Sequence, residues 1–127
     1  MACGSSLVLS LRHGDDEPRY RALDTLRRGD AVEILPDHTV HPLRFATVVC
    51  ISVLQLTDAR MHELSTIFAL RALPDAQVVI ESGLTTVRAD EVSRPVLQPC
   101  RSIASVAVYP TCPVVMDGVP VVGLRAP

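Results

Sequence analysis

The sequence predicts a mainly β protein made of one domain, and three observations support this fold class. Valine is the commonest hydrophobic residue, and most valines stand in short runs or alternations that favour strands. Six glycines and ten prolines interrupt these runs, as turns do. The length of 127 residues and the hydrophobic share of 48% suit one buried core, so we expect a single domain over residues 1–127.

The first half of the chain alternates strand patterns with turn patterns. Residues 6–11 alternate polar and apolar side chains, which is typical of a strand with one buried face. The charged segment 13–18 contains Gly and Pro, so a turn between two strands is expected there. Arg28-Gly29-Asp30 is expected to form the next tight turn, because glycine adopts positive φ without strain. Strands are expected over 31–35 and over 46–53, and the second is apolar on both faces and is therefore expected to be central or deeply buried.

One segment departs from the β pattern and predicts a helix over residues 58–73. Thr57 and Asp58 can cap its first turn, and Pro74 ends it. The apolar residues that recur at helical spacing are Met61, Leu64, Ile67 and Phe68. The same stretch is also compatible with a pair of short strands, and the sequence leaves that alternative open.

The last third returns to strands and turns. Strands are expected over 77–81, 103–109, 114–116 and 119–122. Asp117-Gly118 lies between the last two and is a strong signal for a two-residue hairpin turn. Prolines crowd the chain from Pro95 onwards, which favours edge strands and turns over helices.

Composition excludes several classes of partner. The formal net charge is −2 and aromatic residues make up 3%, so neither a nucleic-acid partner nor an acidic membrane surface is expected. The longest apolar stretch, residues 45–56, contains Ser52 and Gln55 and is shorter than the roughly 20 residues of a membrane span. The first residues lack the basic start of a secretory signal. The expected compartment is therefore the cytoplasm, unless the domain is released from a larger precursor.

No cofactor or metal site is predicted. The four cysteines, Cys3, Cys50, Cys100 and Cys112, are too widely spaced for a zinc knuckle or a Cys-x-x-Cys pair, so buried or free thiols are expected. His38 and His41 could bind a metal as a pair, but no nearby Asp, Glu or Cys completes a set. We therefore expect them to be exposed loop histidines.

Two blocks of the sequence resemble a known family. Near the start, Cys3 is followed by small residues and a strand, and then by Leu26-Arg27-Arg28-Gly29-Asp30-Ala31-Val32. Near the end, Cys100, a strand over 103–108, Cys112, Asp117-Gly118-Val119, Val121-Val122 and Leu124 follow in order. This order resembles the Hint superfamily of hedgehog and intein autoprocessing domains, and it is most similar to the Vint branch.

The resemblance implies a horseshoe-like β domain that acts on its own flanking polypeptide. In that family the first cysteine attacks the preceding carbonyl, so Cys3 would attack Ala2 and convert the peptide bond to a thioester. A Thr-x-x-His element assists, and its best match here is Thr85-Thr86-Val87-Arg88. Arg88 therefore replaces the histidine, and Cys112 replaces a later one. A guanidinium does not exchange protons near pH 7, and the loss of a positioned acid or base costs on the order of 10²–10⁴-fold in rate. We expect the N-to-S acyl shift to be weakened or lost.

Two alternatives remain open. Residues 38–43 contain the His-Pro-Leu that often follows the family's threonine, so this segment is a rival match for the assisting block. The second alternative concerns function. The missing histidines and the proline-rich C-terminal third also suit a non-catalytic β-rich domain that binds a protein partner, for instance through edge strands.

Overall fold

The computed structural model is mainly β, as predicted. It describes residues 2–35, 44–55, 61–63, 71–73, 75–80, 85–92, 94–96 and 100–123. The strands in these residues are β1 Ala2–Cys3, β2 Leu7–Leu11, β3 Arg19–Ala22, β4 Ala31–Glu33, β5 Phe45–Gln55, β6 Met61–Glu63, β7 Arg71–Ala72, β8 Gln77–Ile80, β9 Thr85–Arg88, β10 Arg94–Val96, β11 Ser102–Tyr109, β12 Val114–Met116 and β13 Val119–Val121. A 3₁₀ helix, Leu23–Thr25, and one short helix, α1 Ala89–Val92, are the helical elements of the described chain.

Nine of these strands form the main sheet. Within the described residues its order is β10-β6-β7-β1-β11-β5-β4-β2-β3. The long strands β5 and β11 lie side by side, antiparallel, with an irregularity between Ala107 and Val108 where one residue of β5 is left out of the pairing. Such a bulge increases the local twist of the sheet. β1 is only two residues long, yet it lies between β11 and β7, so the start of the chain is inside the sheet.

A second sheet of four strands has the order β12-β13-β8-β9 in the part of the chain that is described. Asp117 and Gly118 join β12 to β13 and both have positive φ, 48° and 81°. This is the backbone of a type I′ hairpin turn, and it confirms the predicted hairpin. The two sheets are joined by an antiparallel bridge between Ile34 and Val114 and by a hydrogen bond from the Leu35 N–H to the Pro113 carbonyl at 2.9 Å.

The core between these strands is built from small aliphatic side chains. Its residues come from both sheets, which gives the described chain one continuous cluster. Fully buried valines from the main sheet include Val8, Val32, Val48 and Val106, and those from the second sheet include Val78, Val114 and Val121. Branched residues of this kind pack well on a pleated surface, which is the physical reason the valine runs predicted strands.

The predicted helix over 58–73 is wrong where the structure describes this segment. Residues 61–63 form β6 and residues 71–72 form β7, and the two strands pair antiparallel with His62 opposite Ala72. The alternative of a pair of short strands is the one that the described residues show. Thr57 and Asp58, the predicted helix cap, lie outside the described residues. Pairing with β1 and β10 on either side gives these short strands a ladder that a local pattern does not reveal.

The other predicted strands are confirmed with small shifts of their ends. β5 is central in the described sheet, but its deep burial is not observed, because Val53 and Leu54 are 40% and 57% exposed. The first strand–turn–strand prediction corresponds to β2 and β3, which pair from Leu7 with Ala22 to Ser10 with Arg19. No helix in the described chain is long and apolar enough to cross a membrane.

Candidate functional site

Cys3, the predicted nucleophile, is bonded to Cys100 in a disulfide. The Cα atoms of the two residues are 5.9 Å apart, and 97 positions separate them in sequence. Both residues are buried. The expectation of buried or free thiols is therefore wrong for this pair. β1 pairs with the beginning of β11, with Cys3 opposite Ile103, and this register brings Cys100, two residues before β11, beside Cys3.

The peptide bond that the resemblance makes scissile lies within regular sheet. Ala2 stands opposite Ala104 of β11 on one side and Ala72 of β7 on the other, and all three alanines are fully buried. A side chain larger than a methyl group would not fit this row without moving a strand. The arrangement gives the Ala2–Cys3 bond a packed environment that water does not reach.

Polar side chains lie next to the disulfide. The Gly4 N–H donates to the Ser102 carbonyl at 2.8 Å, and the Asp24 N–H donates to the Gly4 carbonyl at 2.9 Å. The Ser102 hydroxyl donates to a carboxylate oxygen of Asp24 at 3.1 Å. A Cβ on Gly4 would collide with the Ser102 hydroxyl and lie 2.8 Å from the Asp24 carboxylate. Glycine is needed here because three chain segments meet at this point.

Thr85 and Arg88, the predicted assisting block, lie on β9 at one edge of the second sheet rather than on the main sheet with Cys3. The Arg88 guanidinium donates to the Asp90 carboxylate at 3.1 Å and 2.9 Å. These hydrogen bonds from the guanidinium to Asp90 raise the pKa of Arg88 further above its ordinary value. Arg88 is thus held as a cation by its neighbour, which is the opposite of what a proton-transferring group requires.

The two remaining cysteines differ in exposure. Cys112, the residue at the family's later histidine position, is a buried thiol that packs in the hydrophobic core. Cys50 is an exposed free thiol on β5. The expectation of buried or free thiols is confirmed for these two residues.

The block that carries the resemblance, residues 26–32, forms a turn with a structural explanation for each of its signature residues. Leu26 and Val32 are buried in the core. Gly29 has a φ of +95°, and its N–H donates to the Val48 carbonyl at 2.8 Å. A side chain at position 29 would be strained by that φ, so glycine is required.

Asp30 holds this turn together. Its carboxylate accepts two hydrogen bonds from the Arg12 guanidinium, at 3.0 Å and 2.9 Å, and one from the Arg27 backbone N–H at 2.9 Å. Burial alone would raise the pKa of Asp30, but the hydrogen bonds from Arg12 and Arg27 outweigh it and lower the pKa below its ordinary value. A carboxylate with this many donors stays ionised and acts as a structural clamp rather than as a proton donor or acceptor.

A second carboxylate continues the network towards β3. Asp15 accepts a hydrogen bond from the Arg12 backbone N–H at 2.9 Å and forms an ion pair with the Arg21 guanidinium at 2.8 Å. The backbone hydrogen bond is the main reason that the pKa of Asp15 lies below its ordinary value. Asp15 and Asp30 therefore fix the turn before β3 and the turn before β4 to one arginine, Arg12.

The aromatic residues that the structure describes lie on one side of the main sheet, which sequence reasoning missed. Opposed residues in a sheet share a face, so the register assigns Tyr20, Phe45 and Tyr109 to the solvent side of the main sheet. The pairs that establish this face are Leu9 with Tyr20, Leu11 with Ala31, Ala31 with Thr47, Glu33 with Phe45 and Thr47 with Tyr109. Tyr20 is 66% exposed and Tyr109 is 72% exposed. The alternation in residues 6–11 points the other way, because an apolar face is expected to be buried, whereas here Ser6 and Ser10 are buried and the leucines lie on the solvent side.

A groove lies on this solvent-facing side, between β2, β3 and the hairpin turn of β12–β13. We call it the outer groove. Its volume is about 170 Å³, and its lining includes Leu7, Leu9, Tyr20, Val115, Glu33 and Asp117. The Leu7 N–H donates to the Asp117 carboxylate at 3.0 Å, and the Asp117 N–H donates to the Leu7 carbonyl at 2.8 Å. These two bonds fix the turn against β2 and give the groove a rigid wall.

Among the described residues, no group of three or more His, Cys, Asp or Glu side chains is arranged to hold a metal ion. His38 and His41, the candidate metal pair and rival match to the assisting block, lie outside the described residues, as does Leu124. No protein-family model and no curated protein matches the chain.

Proposed function

We propose that this protein is a non-catalytic β domain that binds a protein partner, built on a scaffold that resembles the Hint and Vint autoprocessing domains. The observation that carries the proposal is the disulfide between Cys3 and Cys100. A sulfur in a disulfide has no thiolate with which to attack a carbonyl, so the N-to-S acyl shift at Ala2 does not begin in this state.

Three further features support a structural role for the residues that the resemblance makes catalytic. Ala2 and Cys3 are buried in a regular ladder. Arg88 is paired with Asp90 on the second sheet. Asp30, within the block that carries the resemblance, holds the turn that begins at Arg27 to the Arg12 guanidinium. Each of these groups makes a contact that explains its presence without chemistry.

The binding role is supported by the exposed apolar side chains on the main sheet. Tyr20 is 66% exposed there beside Leu7 and Leu11, which are 44% and 37% exposed, while the core is made of small aliphatic residues. Aromatic residues are enriched at protein–protein interfaces and carry much of their binding energy. An exposed tyrosine beside two exposed leucines forms an apolar patch of the kind that binds a partner.

The disulfide also bears on the expected compartment. Disulfides persist in oxidising compartments and are rare in the cytosol, where thiols are kept reduced. The cytoplasmic location remains a prediction, and the Cys3–Cys100 bond does not favour it.

A second candidate function is autoprocessing in the reduced protein. It is favoured by the position of Cys3, directly after Ala2 on the first strand. The Ser5 hydroxyl lies 3.3 Å from the Cys3 sulfur, and the hydrogen-bonded pair of Ser102 and Asp24 is adjacent. Reduction would restore the thiol of Cys3 among these polar groups. Water or an added thiol would then take the acyl group from the thioester.

One experiment separates the two functions. A folded carrier protein is fused before Ala2 through a flexible linker, and the fusion is incubated with and without dithiothreitol. The same incubation is carried out on Cys3→Ala, which lacks the sulfur, and on Cys100→Ser, which frees Cys3 without reductant. Intact-mass spectrometry measures release of the carrier. We expect no release above the Cys3→Ala background in any arm. Release from the reduced fusion or from Cys100→Ser that needs Cys3 would overturn the non-catalytic proposal in favour of autoprocessing.

A further inference from the structure

We infer that the outer groove binds one large apolar side chain of a partner peptide, with an adjacent arginine or lysine of that peptide directed to Glu33. This inference rests on the proposed binding function and deepens it by naming the surface and the chemistry of the partner.

The volume of the groove determines the size of its occupant. Pockets for drug-sized molecules and cofactors measure roughly 300–1,000 Å³, whereas a cavity of about 150 Å³ holds benzene. The outer groove, at about 170 Å³, belongs to the second class. It is too small for a nucleotide or another cofactor, and it fits the end of one leucine, methionine or phenylalanine side chain. Leu7, Leu9 and Val115 give that side chain an apolar lining.

The charges of the groove determine what should stand beside that side chain. Both charged residues in the lining, Glu33 and Asp117, are acidic. Glu33 is paired with Arg44, whose guanidinium donates to one oxygen of the carboxylate, Oε2, at 3.2 Å and 3.1 Å; the Arg44 side chain is 69% exposed and that of Glu33 is 22% exposed. Both hydrogen bonds from Arg44 go to Oε2, so an incoming cation can share the carboxylate through its other oxygen. An acidic peptide would meet like charge at the same place.

The edge of the sheet next to the groove is protected against another mode of binding. β3 is the last strand of the main sheet in the described chain, but Arg19 and Arg21 stand on its inner face, opposite Ser10 and Val8. Arg21 is held there by Asp15 and by the Ser10 hydroxyl at 2.8 Å. Charged side chains that point inward at an edge discourage an added strand. The partner therefore approaches the solvent-facing side of the sheet rather than extending the sheet.

The test uses the full chain and two acetylated, amidated pentapeptides with a common central leucine. One peptide has arginines on both sides of the leucine, and the other has glutamates. Titration of ¹⁵N-labelled protein, followed by NMR, measures the shifts of the amides of Leu9, Tyr20 and Gly118. We expect saturable shifts at these amides with the arginine peptide and at least tenfold weaker binding of the glutamate peptide. Glu33→Gln should reduce that preference at least threefold.

The two exposed tyrosines supply a matched control. Tyr20→Ala removes one wall of the groove, whereas Tyr109→Ala removes a tyrosine of similar exposure that lies outside the lining. We expect Tyr20→Ala to weaken the arginine peptide at least fivefold and Tyr109→Ala to leave it within twofold.

Three results would overturn the inference. The first is equal binding of the two peptides, and the second is an equal effect of the two tyrosine variants. The third is a shift of the groove amides that grows with protein concentration in the absence of peptide, which would assign the groove to a second copy of the chain. None of these results alters the carrier-release experiment, so the two proposals can fail independently.

Discussion

Single residues at the start of the chain show how packing replaces the chemistry that the sequence suggested. Cys3 has the sequence context of a nucleophile, since a strand and a Gly-Asp turn follow it. Its neighbours in space are different ones, namely Cys100 and the residues around Ser102. Sequence separation is the reason this was not predicted, because the partner lies 97 positions away and no local spacing marks a long-range disulfide.

Gly4 provides a prediction at the residue scale. Gly4→Ala places a methyl group against the Ser102 hydroxyl and the Asp24 carboxylate, and overpacking of this kind costs about 1–3 kcal/mol. We expect a lower free energy of unfolding by that amount, measured by urea denaturation.

The same clash can be relieved from the other side. Ser102→Ala removes the nearest colliding atom, and Asp24 is exposed and free to move away. The double variant Gly4→Ala, Ser102→Ala should therefore lose less stability than the sum of the two single variants. Strict additivity would show that Gly4 is not required by the close approach of these segments.

Turns and short strands define the element scale, and they differ in how well the sequence predicts them. The turns at Gly29 and at Asp117–Gly118 were predicted because positive φ is a local property that few residues tolerate. The strands β6 and β7 were predicted only as the alternative to a helix. Their stability comes from neighbours in the sheet, whereas the apolar residues between 61 and 68 recur at helical spacing. β10 contains Pro95 and is the last strand of the main sheet as described, in accordance with the edge strands expected from the prolines.

Proline at position 120 is a more instructive exception. It lies in β13, which has β12 on one side and β8 on the other. β13 pairs with β8 through Val121 alone. Because β13 makes only this one pairing with β8, the missing N–H of Pro120 is tolerated. What excludes proline from a strand is the loss of a backbone hydrogen bond, and not the position of the strand within the sheet.

Asp30 provides a prediction at the element scale, because it fixes the turn before β4. Its folded pKa is lowered, so its contribution to stability is complete above the unfolded value of about 3.9 and is lost as the pH falls through the folded pKa. Asp30→Asn removes the ionic hydrogen bonds to Arg12, and we expect a loss of about 1.5–3 kcal/mol at pH 7.

The pH dependence distinguishes this role from a simple loss of packing. The stability difference between the wild-type protein and Asp30→Asn should shrink below pH 4, when the wild-type carboxylate takes up its proton. Urea unfolding at a series of pH values from 7 to 2.5 measures it. A difference that stays constant down to the lowest pH would show that the charge of Asp30 is not what stabilises the turn.

At the scale of the whole molecule, the proposed function depends on two features, the disulfide and the solvent-facing side of the main sheet. The disulfide closes a loop that includes most of the chain, and in the chain-entropy account such a loop stabilises the folded state by about 4–5 kcal/mol. This contribution is large compared with the total stability of about 5–15 kcal/mol for a typical domain. A core of valine and alanine buries less apolar area per residue than a core with aromatic residues. The covalent link from the first strand to the segment before the eleventh therefore adds stability that the core does not supply.

The sequence was most informative about fold class and least informative about the site. Valine alternation and turn glycines are local signals, and they predicted β2, β4, β5 and β11. The candidate site depends on which strands become neighbours. Thr85 and Arg88 lie on a different sheet from Cys3, whereas Cys100 lies beside Cys3. Neither arrangement follows from spacing along the chain.

The most direct test of this account is disulfide mapping of the native protein. The protein is denatured without reductant, alkylated with iodoacetamide, digested and analysed by mass spectrometry. We expect alkylation at Cys50 and Cys112 and a cross-linked peptide that contains Cys3 and Cys100. Alkylation at all four cysteines, with Cys3 recovered as a free thiol, would contradict the structural role of Cys3 and restore it as a nucleophile.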